Sequence, residues 1–255
     1  SQVNDYLSKD LVVLSSKINL LKFNTGVILK YSLHNEAISI RQDYYICHLK
    51  NISPMSNPPN LENLRKICSQ VRRDIVRMVH AVNSGHPGGS LGCTEYFVTL
   101  YNQIMKYDPS FNMEGRNEDV FFLSNGHISP VFYSTLARAG FFNISELSTF
   151  RKLDSRLQGH PATEEGLPGV RIASGSLGQG LSAAIGVALA KKLDGDDRNV
   201  FVLMGDGEQQ EGQIWEAAMF AAHNKVDNLI ATIDYNGQQI DGPLEEVNSL
   251  GNLKA

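Results

Sequence analysis

The sequence predicts an α/β fold, a doubly wound and mainly parallel sheet with helices on both faces. Three observations carry that expectation. Stretches of helical periodicity alternate with short apolar runs in the order helix, strand, helix, strand over the second half of the chain. The runs "NVFVLM" and "NLIATID" are near-continuously apolar, as in strands covered on both faces. The composition of the 255 residues, 42% hydrophobic and 20% charged, is that of an ordinary globular chain with one large domain or two small ones.

The first 54 residues differ from the rest, with one glycine (Gly26), one alanine (Ala37) and no methionine. "KINLLKF" and "AISIRQDYYI" read as short strands of an N-terminal extension. The change of composition at Met55, the first methionine, favours instead a natural start there, with residues 1–54 a non-native segment. From Leu61 a helix is expected, because Leu61, Leu64, Cys68, Val71, Ile75, Met78, Val79 and Val82 recur at helical spacing. "NSGHPGG" should break it. A second helix is expected over Thr94 to Lys106. "DVFFLSNGH" reads as a buried strand entering a turn, and "PVFYSTLARAG" as a helix with Gly140 past its end. Residues 143–172 read as loops. "SGSLGQGLSAAIGVALAKKL" reads as a glycine-rich turn opening a helix that buries Leu181, Ala184, Ile185, Ala188 and Leu189. After "NVFVLM", a helix with Ile214, Ala217, Ala218, Ala221 and Ala222 on one face leads to "NLIATID".

A net charge of −4 gives no support for a nucleic-acid or membrane-surface partner. No apolar run approaches the ~18–20 residues of a membrane span. Cys47, Cys68 and Cys93 form no CxxC pair, so a reduced, cytoplasmic setting without a disulfide framework or zinc site is expected.

In an open parallel sheet, ligands gather outside the carboxyl ends of the strands. Asp206 ends one predicted strand between two glycines, and Asn236 follows the end of the next. A carboxylate, an amide oxygen and a nearby backbone carbonyl are hard oxygen donors suited to Mg²⁺ or Ca²⁺. Gly205 and Gly207 let a phosphate approach the backbone. A lone Gly-Asp-Gly turn is more often only a solvated turn. "SGSLGQG" at a helix start is a second phosphate-suited element, though such glycines often serve packing. His86, His127 and His160 each sit on a glycine-bounded turn, a setting that presents a side chain to a ligand. His80 reads as structural.

"SGHPGGSLG", "LSNGH", "GHP", "SGSLGQGLSAAIG", "GDGEQQEGQIWEA" and "DYNGQQIDG" occur together in the order seen in transketolases. From about Leu61 to Asp241 the chain resembles the N-terminal, thiamine-diphosphate-binding part of that family. The resemblance implies the thiamine diphosphate-binding fold and two-carbon ketol transfer from a ketose phosphate to an aldose phosphate. It implies that Asp206, Asn236 and the carbonyl of Gln238 hold Mg²⁺, and that His127 and the Gly207 N–H contact the diphosphate. Gly175, Ser176 and Leu177 would lie along the cofactor rings, Ser176 standing where many members carry proline. His86 and His160 would act on protons and sugar hydroxyls, and Glu211 would join an acidic network between paired sites. Residues 55–255 then read as a diphosphate-binding domain incomplete at its C-terminus. A complementary pyrimidine-binding domain or subunit is implied, in a homodimer or heterotetramer. Other readings stay open: a dihydroxyacetone synthase or deoxyxylulose-phosphate synthase type of enzyme, a non-catalytic binding module, or a truncated product.

Overall fold

The computed structural model describes residues 60–251 and 253, together with the backbone of three earlier strands, 21–23, 26–35 and 40–47. The expected start at Met55 lies outside the described residues. The earlier strands are β1 (Leu21–Phe23), β2 (Gly26–Asn35) and β3 (Ile40–Cys47). β1 falls within the first segment read as a strand, and β3 overlaps the second.

The sheet has the order β1-β2-β3-β6-β5-β4. Its chemistry-bearing half is β4 (Val120–Leu123), β5 (Val200–Gly205) and β6 (Leu229–Tyr235), which run parallel. β3 pairs antiparallel with β6. β4 and β5 are buried at every position, which is why they read as continuous apolar runs. Their side chains still alternate between two cores. Phe121, Leu123, Phe201 and Leu203 enter one; Val120, Phe122, Val200, Val202 and Met204 enter the other.

The first core is covered by α1 (Leu61–Val82), α3 (Thr94–Thr99) and α4 (Ser129–Arg138). The side chain of Asn60 caps α1 by accepting from the Asn63 N–H at 3.0 Å. Left-handed Asn83 (φ 47°) ends it. The apolar stripe of α1 contains one acid, Asp74, which is buried. Its carboxylate accepts from Arg138 at 2.6 Å and from Ser134 at 2.8 Å, fastening α1 to α4. α4 stops at Ala139, and Gly140 follows at φ +94° as expected.

Two expectations change here. "NSGHPGG" ends α1 but also starts a short helix, α2 (Pro87–Gly92), with Pro87 in its first turn. Gly89 serves close packing, since a Cβ there would lie 2.8 Å from Ile128, whereas a Cβ on Gly88 would meet nothing within 4 Å. The helix expected to reach Lys106 runs through α3 into a π-helical turn, Leu100–Ile104, and Met105 is already extended.

The second core is covered by α5 (Gly180–Leu193) and α6 (Gly212–His223). α5 buries Leu181, Ala184, Ile185 and Ala188 as expected, with Leu189 half-buried. In α6 only Ile214 and Ala217 are buried; Ala218 and Ala222 are exposed, a correction to the expected face. Short alanine side chains carry no strong preference for a face. The larger Trp215, Met219 and Phe220 of the same helix point outward, 48–66% exposed. The chain closes with a small hairpin, β7 (Gln238–Gln239) and β8 (Gly242–Pro243), and α7 (Leu244–Asn248).

Candidate functional site

Parallel pairing brings the carboxyl ends of β4, β5 and β6 to one edge of the sheet, where ligands of such sheets gather in a crevice. β5 passes directly into Asp206, which precedes a 3₁₀ turn over Gly207–Gln210. Parallel pairing sets Gly205 opposite Asp234 of β6, and the Asp206 N–H donates to the Asp234 carbonyl at 3.1 Å. The Asp206 carboxylate is 1% exposed and accepts from the N–H groups of Gly207 (2.8 Å) and Gly237 (2.6 Å). Burial pushes its pKa up to about 6, against those hydrogen bonds, and the nearby Asp234 carboxylate adds to the push. Among the described residues no basic side chain forms an ion pair with Asp206. Two buried acids so close together favour a cation.

The other candidate metal donors stand beside it. Asn236 donates through Nδ2 to Asp234 at 3.3 Å, and its Oδ1 accepts from the Gln238 N–H at 2.9 Å. Gly237, at φ +74°, lets the chain double back so that its own N–H meets Asp206. Gln238 is exposed at the start of the β7–β8 hairpin. Next to Asp206, Gly207 is closely covered: a Cβ there would lie 3.1 Å from the Cβ of Gln239.

The three glycine-bounded histidines come together. His86 precedes α2, and its ring meets that of His127 edge-on at 5.1 Å. His127 lies on a 3₁₀ turn, Gly126–Ile128, shortly after β4. Burial, assisted by His86 and His160, pushes His127 down to about 4. His86 and His160 are lowered too, first by burial and then by the positive charge of Arg151. His160 packs near Gly175, where a Cβ would lie 3.8 Å from its own. α2 and Cys93, the residue that follows it, join this group to the acids: Gly89 packs on Ile128, and the Cys93 thiol donates to the Asp234 carboxylate at 3.3 Å.

Gly175 and Ser176 are exposed on the turn before α5, and Leu177 is half-buried. Glu211 is exposed just before α6 and packs beside Gly178, where a Cβ would lie 3.1 Å from the Glu211 Cβ.

Three further residues of the crevice escaped the sequence reading. Glu208 is buried; it accepts from the N–H groups of Gly178 (2.7 Å) and Gly205 (3.0 Å) and from the Ser124 hydroxyl. It thus ties the turn before α5 to the ends of β4 and β5. Asn125 is 1% exposed, and neither its amide nitrogen nor its oxygen has a hydrogen-bond partner. The buried Ser174 hydroxyl is likewise unpartnered. Orphaned buried groups of this kind cost ~1–3 kcal/mol each and suit a site completed by a polar ligand. The signal available for Asn125 was its place just past a fully apolar strand in "FFLSNGH". Glu208 and Ser174 gave no comparable signal.

Hard oxygen donors, two buried acids and orphaned polar atoms fit a divalent cation carrying a diphosphate. Comparison with known proteins supports the diphosphate-binding part of that fit. The family described as "Transketolase, thiamine diphosphate binding domain" matches residues 64–252. An apulose-4-phosphate transketolase subunit of Phocaeicola vulgatus is 41% identical over 194 residues, 76% of this chain and 68% of that protein. Human transketolase is 39% identical over 188 residues, 72% of this chain but 30% of that protein. The crystal structure of transketolase from Campylobacter jejuni superposes with a TM-score of 0.67 at 36% identity, over 74% of this chain and 30% of that one.

Proposed function

We propose, on the premise that this chain belongs to the transketolase family by its thiamine diphosphate binding domain, that it is the cofactor-binding part of a ketol-transferring enzyme. The reaction moves a two-carbon unit from a ketose phosphate to an aldose phosphate. The observation that carries the reading is Asp206: a buried acid at a strand end, beside a second acid, inside the family's matched span.

Asp206, Asn236 and the Gln238 carbonyl are assigned to Mg²⁺, with Ca²⁺ as a chemical substitute. His127 and the Gly207 N–H are assigned to the diphosphate, and Gly175, Ser176 and Leu177 to the cofactor's rings. When bound, thiamine diphosphate supplies the electron sink for the two-carbon unit. His86 and His160 take the role of moving protons at the sugar hydroxyls. Their lowered pKa values keep both rings neutral near pH 7, so each presents an unprotonated nitrogen that can accept a proton. Glu211, exposed beside the Gly178 turn, is assigned to an acidic contact with a paired site.

The chain spans about 30% of the single-chain transketolases it matches and 68% of the Phocaeicola vulgatus relative. A complementary pyrimidine-binding polypeptide or domain, in a homodimer or heterotetramer, completes the enzyme in this reading. The proposed setting is the cytoplasm; no helix among the described residues is long and apolar enough to cross a membrane. Calorimetric titration with thiamine diphosphate tests the reading. Binding that requires Mg²⁺ and is absent with NAD or ATP is expected. Equal binding with and without the metal, or preference for NAD or ATP, would sink it.

A further inference from the structure

We propose that Arg151 is a positioning residue that joins the two turns carrying His86 and His160 and sets one fixed positive charge beside both rings. The inference rests on the reading that these two histidines serve proton transfer. Its test concerns the histidines alone and does not require turnover.

The geometry begins with the backbone. Arg151 is in the left-handed region at φ +55°, and its N–H donates to the Leu157 carbonyl at 2.8 Å. This closes residues 151–157 into a loop, and non-glycine residues hold such a conformation only where surrounding contacts fix it. The preceding residue, Phe150, is 1% exposed and lies against Gly85, whose added Cβ would be 3.7 Å from its ring. The guanidinium then reaches both turns. Nη1 donates to the Ser84 hydroxyl at 2.9 Å, two residues before His86. The same group covers Gly159, the residue before His160: a Cβ there would lie 2.6 Å from the guanidinium carbon. The Gly159 turn is itself anchored to α4, where Ser129 donates to the Gly159 carbonyl at 2.7 Å.

The charge is not neutralised nearby. Among the described residues no carboxylate pairs with Arg151, and its buried Nε has no hydrogen-bond partner. The groups facing His86 are Arg151, His127 and His160; those facing His160 are Arg151, His86 and His127. Arg151 also acts on Tyr133, where Glu165 opposes it. Arginine suits this place because it stays charged and its planar fork fixes direction as well as charge.

The experiment is an NMR titration of the histidine ring protons in the full 255-residue chain, comparing wild type with Arg151→Met and Arg151→Lys. The expected result is an upward move of the His86 and His160 midpoints in Arg151→Met, and near-wild-type midpoints in Arg151→Lys. A purely structural role would leave the midpoints of a folded Arg151→Met unchanged, and that outcome overturns the proposal. If Arg151→Met does not fold, Ser84→Ala carries the test by releasing the guanidinium from the first turn. A moved His86 midpoint then supports the proposal, and an unmoved one rejects it.

Discussion

Asp206 stores free energy that a cation can release. Its folded-state pKa of about 6 lies above the ordinary aspartate value of 3.8, with burial the first cause. The folded chain therefore holds a proton there that the unfolded chain has lost between those two values. The proton-linked stability is full below pH 3.8 and is lost as pH rises through 6. Above pH 6 the bare carboxylate costs roughly 3 kcal/mol at ~1.4 kcal/mol per unit. Asp206→Asn should then melt no lower than wild type at pH 8 without metal, with the difference shrinking toward pH 4, while Mg²⁺-dependent thiamine diphosphate affinity is lost. Calorimetry reads both, and retained affinity in the variant would remove Asp206 from the metal site. His127 has the opposite sign. Its pKa falls from 6.5 to about 4, so the stability linked to it is present above pH 6.5 and lost as pH falls toward 4. An anion beside the ring reverses that shift. Inorganic pyrophosphate binding near pH 6 should thus take up protons, measured as a dependence of the binding heat on buffer ionisation, and His127→Gln should take up fewer.

Elements set which of these residues could be read in advance. Asp206, Asn236 and the three histidines were legible because strand ends and glycine-bounded turns announce themselves locally. Glu208 was not, since its meaning lies in Ser124 and Gly178, far away in sequence and joined only when α5 packs against β4 and β5. Asp74 was hidden for the same reason: an acid in an apolar stripe looks like a flaw until Arg138 of α4 meets it. The small-residue α6 misled about its buried side because alanine spacing fits several faces equally. The hidden acids yield predictions of different kinds. Asp74→Ala leaves Arg138 and Ser134 without their acceptor and should cost ~3–5 kcal/mol, read by urea unfolding. Glu208→Ala frees the turn before α5, so the Gly178 and Gly205 amides should exchange with solvent faster by hydrogen-exchange mass spectrometry. Unchanged protection there would show that the turn holds without its latch.

At the scale of the whole molecule, not every apolar side near the strand ends is covered. Asp206, Asn236 and His127 gather where the parallel strands end, yet the outward side of α6 presents Trp215, Met219 and Phe220 to solvent. Exposed apolar side chains on one helix, next to a turn assigned to the cofactor, suit a surface that a second polypeptide covers. Relatives that are themselves named as transketolase subunits supply the reason to expect one. Trp215 is the sole tryptophan of the chain, 48% exposed, and its indole N–H donates to the Gln209 carbonyl in the segment following Asp206. It therefore reports on both the interface and the metal turn. Mixing this chain with the complementary pyrimidine-binding polypeptide should shift Trp215 emission to shorter wavelength. Ketol transfer is expected to be absent from either chain alone and to appear over the same concentration range. Trp215→Ala and Met219→Asp should weaken association while leaving the melting temperature of the isolated chain within a few degrees. Turnover that appears with no change in Trp215 emission would place the contact elsewhere, and turnover by this chain alone would end the two-part reading.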